Sequence, residues 1–113
     1  MSETNPVYDD PVLLVLTNFP DSESARQIGT SLVEKQLAAC VNLLPSATSI
    51  YRWQGQIETA SEIPALIKTK RSVFPRLRDE LGRLHPYQVP EILAFEAVGG
   101  GQAYLDWVCG EVR

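Results

Sequence analysis

The sequence predicts an α+β sandwich, an antiparallel sheet with helices on one face. Three observations carry that prediction. A short apolar run, Val12 to Thr17, is followed by a stripe of apolar residues at helical spacing. Two extended arms then meet at Gln54-Gly55, and a second helical stripe halts at His85-Pro86 ahead of a last apolar run.

Residues 1–11 are polar, hold two prolines and read as a loose, flexible N-terminal tail ahead of a single domain over residues 12–113. Val12 to Thr17 is short, valine-containing and continuous, which suits a central strand buried on both faces. Asn18 to Asp21 turns the chain, and Asp21 or Ser22 can cap the helix whose stripe is Ala25, Ile28, Gly29, Leu32 and Val33, continued by Leu37. Cys40 to Leu44 is a strand that Pro45-Ser46 breaks or bulges. Ser49, Tyr51 and Trp53 then alternate with Ile50, Arg52 and Gln54 up to the tight turn at Gln54-Gly55. The return arm runs from Ile57 to Thr69, with Pro64 predicting an edge or a bulge because proline has no N–H to donate. Ser72 can cap a second helix carrying Phe74, Leu77, Leu81 and Leu84, which stops where His85 precedes Pro86. Glu91 to Val98 is the fourth strand, Gly99 to Gly101 a flexible corner, and Gln102 to Val112 a closing helix. With right-handed crossovers this order leads to a ferredoxin-like βαββαβ sandwich with a long hairpin between its second and third strands and an added C-terminal helix.

Bulk properties narrow the function. A formal net charge of −4 gives no attraction to polyanions, so nucleic acid is a poor partner. No apolar run approaches the roughly 20 residues that cross a bilayer, and acidic residues stand where a signal peptide carries lysines, so the expected compartment is the cytoplasm and no membrane partner is expected. Cys40 and Cys109 are far apart and belong to no CxxC pair; with a single histidine in the chain, a closed four-ligand zinc site is excluded.

The segment His85-Pro86-Tyr87-Gln88-Val89-Pro90-Glu91 is held extended by two prolines. It reads either as a plain helix-to-strand crossing or as a ligand-binding edge with His85 as donor, base or metal ligand. Tyr51 and Trp53 share one face of an arm that looks too long for the rest of the domain to cover, which points to a subunit interface. Six of the ten basic residues fall between Lys68 and Arg83, and the better reading is a solvated helix with Asp79–Arg83 and Arg76–Glu80 pairs. Glu58 and Glu62 share a strand face if no bulge intervenes, and Cys40 packs as a small hydrophobe or serves as a reactive, copper-binding thiol. No nucleophile or cofactor motif accompanies the histidine, so an enzyme is not the expected reading.

Leu37-Ala38-Ala39-Cys40-Val41-Asn42, Tyr51-x-Trp53-x-Gly55-x-Ile57, Lys68-Thr69 and His85-Pro86-Tyr87-x-x-Pro90-Glu91 occur in that order and spacing. Together they resemble the divalent-cation tolerance protein family, CutA, from about Val12 to the C-terminus. The resemblance implies a non-enzymatic homotrimer with long hairpins wrapped around neighbouring subunits, and tolerance to copper and other divalent ions. Its alternative is a signalling or small-molecule module, by analogy with the trimers of PII proteins. Carried over by position, it implies a cleft between subunits formed by Lys68, His85, Tyr87 and Glu91, metal ligation by His85 and Cys40, and a trimer interface at Tyr51 and Trp53. Some members carry cysteine where Thr17 stands and a second histidine where Leu84 stands. Without those donors one subunit offers His85 and oxygen ligands, so no cofactor is required and copper or another divalent cation is expected to bind weakly.

Overall fold

The computed structural model describes residues 10–113. Most of the predicted flexible tail therefore lies outside the described residues. Its last two positions are anchored: the Asp10 carboxylate accepts from the Ser72 N–H (2.8 Å) and hydroxyl (2.6 Å), and the Pro11 carbonyl accepts from Arg71 N–H.

Five strands and three helices follow. They are β1 (Val12–Phe19), α1 (Ser22–Glu34), β2 (Cys40–Leu43), β3 (Ala47–Trp53), β4 (Gln56–Lys70), α2 (Phe74–Leu84), β5 (Leu93–Glu96) and α3 (Gln102–Glu111). The sheet order is β2-β4-β1-β5, all antiparallel, with β3 pairing the outer half of β4. Counting β2 and β3 as one interrupted strand, this is the ferredoxin-like arrangement.

β1 is central, as predicted, but it runs to Phe19, because Asn18 and Phe19 go on pairing with Pro64 and Ile63 where a turn was predicted. Only one of its faces is fully buried. Val15, Thr17 and Phe19 lie under the helices beside Ala65 and Ile67 of β4, and Leu32, Leu77 and Leu81 close the core above them. On the other face Leu14, Leu16 and Asn18 are half-buried, because only one layer of helices covers the sheet.

Asp21 caps α1, accepting from Ser24 N–H at 2.7 Å. The helix ends in a Schellman turn: Gln36 takes φ 58°, and Leu37 N–H returns to the Leu32 carbonyl at 3.0 Å, which tucks Leu37 into the core. Gly29 lets α1 lie close on β2, where a Cβ would come within 3.3 Å of Val41. Val33, by contrast, faces outward.

The cap predicted for α2 is different. Ser72 is held by Asp10, Val73 takes the cap position without a side-chain bond, and Pro75 sits in the first turn. The two predicted i,i+4 pairs do not form either, because Glu80 accepts from Arg83 on its own helix and from Lys35 at the end of α1. β5 is shorter than predicted, since it pairs with β1 alone at the sheet edge.

The hairpin of β3 and β4 projects from the body, and the molecule measures 54 × 27 × 24 Å. Gln54 (φ 51°) and Gly55 (φ 81°) form its predicted tight turn, both with the positive φ that a hairpin twist requires. Pro64 is not at the sheet edge, since β1 pairs it on one side, but on the other side it faces the predicted bulge. The extra residue is in the partner: Leu44, Pro45 and Ser46 face only Ile63 and Pro64. Leu44 N–H donates to the Pro64 carbonyl at 2.9 Å, so the nitrogen that cannot donate faces this same break.

Candidate functional site at the base of the arm

α2 ends at Leu84, because Pro86 forces His85 out of helical geometry to φ −68°, ψ 136°. The imidazole is 6% exposed and stacks on Phe19 (5.0 Å, 13°). Its Nε2 lies 2.7 Å from the Asn18 carbonyl oxygen, and its Nδ1 accepts from Tyr87 N–H at 3.1 Å. A carbonyl only accepts and an amide only donates, so the hydrogen sits on Nε2 and the Nδ1 lone pair is taken. Burial pushes the ring below its ordinary value of 6.5, opposed by the Asn18 bond and the Glu62 charge.

This fixed ring places Tyr87, whose hydroxyl donates to Glu62 Oε2 at 2.8 Å across to β4. Burial first, and the Glu62 carboxylate second, push the phenol far above its ordinary range, so it remains a hydrogen-bond donor. Glu91 lies at the other end of the rigid segment and accepts from Asn18 Nδ2 at 2.9 Å. Tyr51 and Trp53 approach from the arm. Asn18, Tyr51, Trp53, Glu62, Tyr87 and Glu91 thus surround an open cleft of about 550 Å³.

Of the residues singled out from sequence, Tyr87 and Glu91 meet in this cleft with the predicted interface pair Tyr51 and Trp53, and His85 buttresses it from beneath. Lys68 and Cys40 do not join them in one subunit. They face each other across β4 and β2, where Lys68 Nζ donates to Asn42 Oδ1 and lies 3.9 Å from Cys40 Sγ. Lys68 lies six positions along β4 from Glu62, about 20 Å at strand spacing. Thr17, one of the departures from the copper pattern, is buried under the helices on the opposite face from Lys68. Among the described residues, no group of three or more His, Cys, Asp or Glu side chains is placed to hold a metal. Cys40 and Cys109 are free thiols, each half-buried.

Two cleft residues escaped the sequence reading. Asn18 read as a turn residue, and nothing local distinguishes it. Glu62 read as one of a pair with Glu58, whereas Glu58 is exposed out on the arm and Glu62 is buried at its root. The available signal was position: Glu62 directly precedes the apolar half of β4, Ile63 to Ile67.

Fold and cleft together define a class: a ferredoxin-like domain with a projecting arm and an aromatic, carboxylate-bearing cleft at its root. Residues 13–111 match the family described as CutA1 divalent ion tolerance protein, and the chain belongs to that family. The Divalent-cation tolerance protein CutA of Thermus thermophilus is 48% identical over 95 residues, 84% of this chain and 92% of that protein. Protein CutA of Homo sapiens is 47% identical over 89 residues, 79% of this chain, which spans half the length of that relative. The crystal structure of CutA from Xylella fastidiosa superposes with a TM-score of 0.88 at 44% identity, covering 90% of this chain and 98% of the other. These relatives are named for tolerance to cations or simply as CutA, not for a reaction.

Proposed function

We propose that the protein is a non-enzymatic divalent-cation tolerance protein that works as a homotrimer in the cytoplasm and binds copper or another divalent ion weakly. The observation that supports the assembly is the arm. Ile50 is 72% and Ile57 62% exposed, Tyr51 and Trp53 are also open, and the uncovered sheet face adds Leu93 and Phe95. So many large apolar side chains left open on a small chain mark a contact with further protein. Copies of the same chain supply the matching surface by symmetry.

Weak metal binding follows from the donors. Both nitrogens of His85 are engaged with backbone groups, so a metal ion has to displace Tyr87 N–H or the Asn18 carbonyl to reach it. The Cys40 sulfur lies 3.9 Å from Lys68 Nζ, whose charge repels a cation. A site of higher affinity requires donors from more than one subunit.

The test joins light scattering to calorimetric titration of the reduced, metal-free protein with Cu(II) and Zn(II), repeated on His85→Ala. A trimer mass with binding no tighter than about 1 μM, the equivalent of about 8 kcal/mol, is the expected result. A lone-subunit mass at micromolar concentration overturns the assembly. Tight binding abolished by His85→Ala overturns the weak-site reading. Trp53→Ala is expected to dissociate the trimer on dilution while leaving the subunit's circular dichroism intact; an unchanged mass at high dilution removes Trp53 from the interface.

A further inference from the structure

The cleft at the root of the arm has a chemistry that cation tolerance and assembly leave unused. Glu62 is only 9% exposed, yet it carries a carboxylate on the cleft wall. Its Oε2 accepts from Tyr87, and among the described residues no group donates to its Oε1. That second oxygen opens into the cleft, where a ligand that displaces water has to supply the donor that water otherwise provides.

The surroundings narrow that donor. The Asn18 amide occupies one oxygen of Glu91 and leaves the other for a ligand. Tyr87 and Val89 wall the cleft beside Ile50, Tyr51 and Trp53, the arm residues assigned above to the subunit contact, so in the assembly the cleft lies at the edge of that contact. Among the described residues of one subunit no lysine or arginine lines the cleft, so within that subunit its two carboxylates meet no cation there. An anion is repelled by such a site, and a neutral apolar molecule leaves Glu62 unsatisfied. A bare metal ion gains little from three aromatic rings, and only two carboxylates are at hand. A charged nitrogen on an apolar body satisfies every wall at once: its N–H groups reach the carboxylates, and aromatic faces attract its charge.

We infer that the cleft between the arm and the His85–Glu91 segment binds an organic ammonium group carried on a small apolar body, with Glu62 as its principal acceptor and Glu91 as a second. Tyr87 is a positioning residue: its hydroxyl fixes one oxygen of Glu62 and so aims the other. The cleft volume of about 550 Å³ accommodates a ring or short chain behind the ammonium, within the range of small-molecule pockets.

The experiment titrates the full chain, with Trp107→Phe in place so that Trp53 alone reports, against benzylamine, benzyl alcohol and benzoate, three probes of one shape and different charge, following fluorescence and chemical shifts. Benzylamine is expected to bind saturably, with the alcohol and the carboxylate at least roughly tenfold weaker. Glu62→Gln and Glu91→Gln should each weaken benzylamine severalfold, and the exposed Glu91 change guards against a folding defect in the buried Glu62 variant. Equal binding of all three probes overturns the inference, as do wild-type affinity in both variants or no saturation by about 10 mM, weaker than ~2.7 kcal/mol. Displacement of benzylamine by Zn(II), with Zn(II) binding lost in Glu62→Gln, overturns it in favour of an inorganic cation. Light scattering on the same samples separates this outcome from the assembly. A trimer indifferent to benzylamine refutes the cleft alone, and a lone subunit that still prefers it refutes only the assembly.

Discussion

Thr17 carries a fully buried hydroxyl that has no hydrogen-bond partner among the described residues. Threonine and valine have nearly the same shape, so removing the hydroxyl leaves no cavity and relieves an unpaired polar group. Thr17→Val is therefore expected to stabilise the subunit by about 1–2 kcal/mol, read from the urea midpoint at unchanged m-value. A destabilised variant would show that the hydroxyl does find a partner in solution. His85 sets a pH dependence. The folded protein holds the ring neutral, with its pKa below the unfolded value of 6.5. Below that pH the unfolded chain takes up a proton that the folded chain resists, so stability is complete above about 6.5 and declines as the pH falls towards the folded pKa. Protonation at Nδ1 also sets two N–H groups against each other at Tyr87, which loosens Glu62. The thermal midpoint should drop between pH 7 and pH 5 by more in the wild type than in His85→Gln. Equal slopes would remove His85 as the cause. Sequence showed that the His85 segment is extended and special, since two prolines dictate it. The direction of the ring did not show, because it depends on a carbonyl 67 positions away.

At the level of elements, strong local signals held and tertiary ties moved the boundaries. The apolar stripes of α1 and α2, the Asp21 cap and the turn at Gln54-Gly55 were all legible, because spacing or a single backbone requirement fixes each. Three features were displaced by partners distant in sequence. Asp10 draws Ser72 away from capping α2, Lys35 competes for Glu80, and Ile63 holds Phe19 in a strand that local sequence would end sooner. Glu80 shows the strength of one such tie: Arg83 first, then Lys35, hold its carboxyl down to about 2, so the clasp between α1 and α2 survives mild acid. Among the described residues, two other than glycine sit in the left-handed region, Gln36 and Gln54. Gln36 closes a helix whose following leucine is core, so its conformation is obligatory. Gln36→Gly should stabilise by about 0.5–1 kcal/mol, relief of the Cβ clash outweighing the added freedom of the unfolded chain. A chemical-denaturation series that shows a loss instead would place the Gln36 side chain in an interaction of its own.

For the whole molecule, the division of the predicted site matters most. Sequence grouped Lys68 with His85, Tyr87 and Glu91, whereas a single subunit keeps Lys68 and Cys40 about 20 Å along β4 from the cleft. Sequence order carries no information on which strand positions of different copies meet, so only an assembly can reunite those groups. If the subunits associate as proposed, folding and assembly are linked, and the thermal midpoint should rise with protein concentration. A midpoint constant over a hundredfold range of concentration would describe a protein that is stable as a single chain.

Pro64 gives the long arm a property beyond its shape. A fifteen-residue strand with few distinctive side chains in its outer half can pair in several alignments that look alike to its partner. Any alignment other than the native one moves the position that lacks an N–H against a regular stretch of β2 or β3, whose carbonyl there is left without a donor. Only the three-residue break at Leu44 to Ser46 tolerates it. The proline thus acts as a notch on a ruler: it marks where the two edges have to coincide and penalises every slip of the hairpin as it zips.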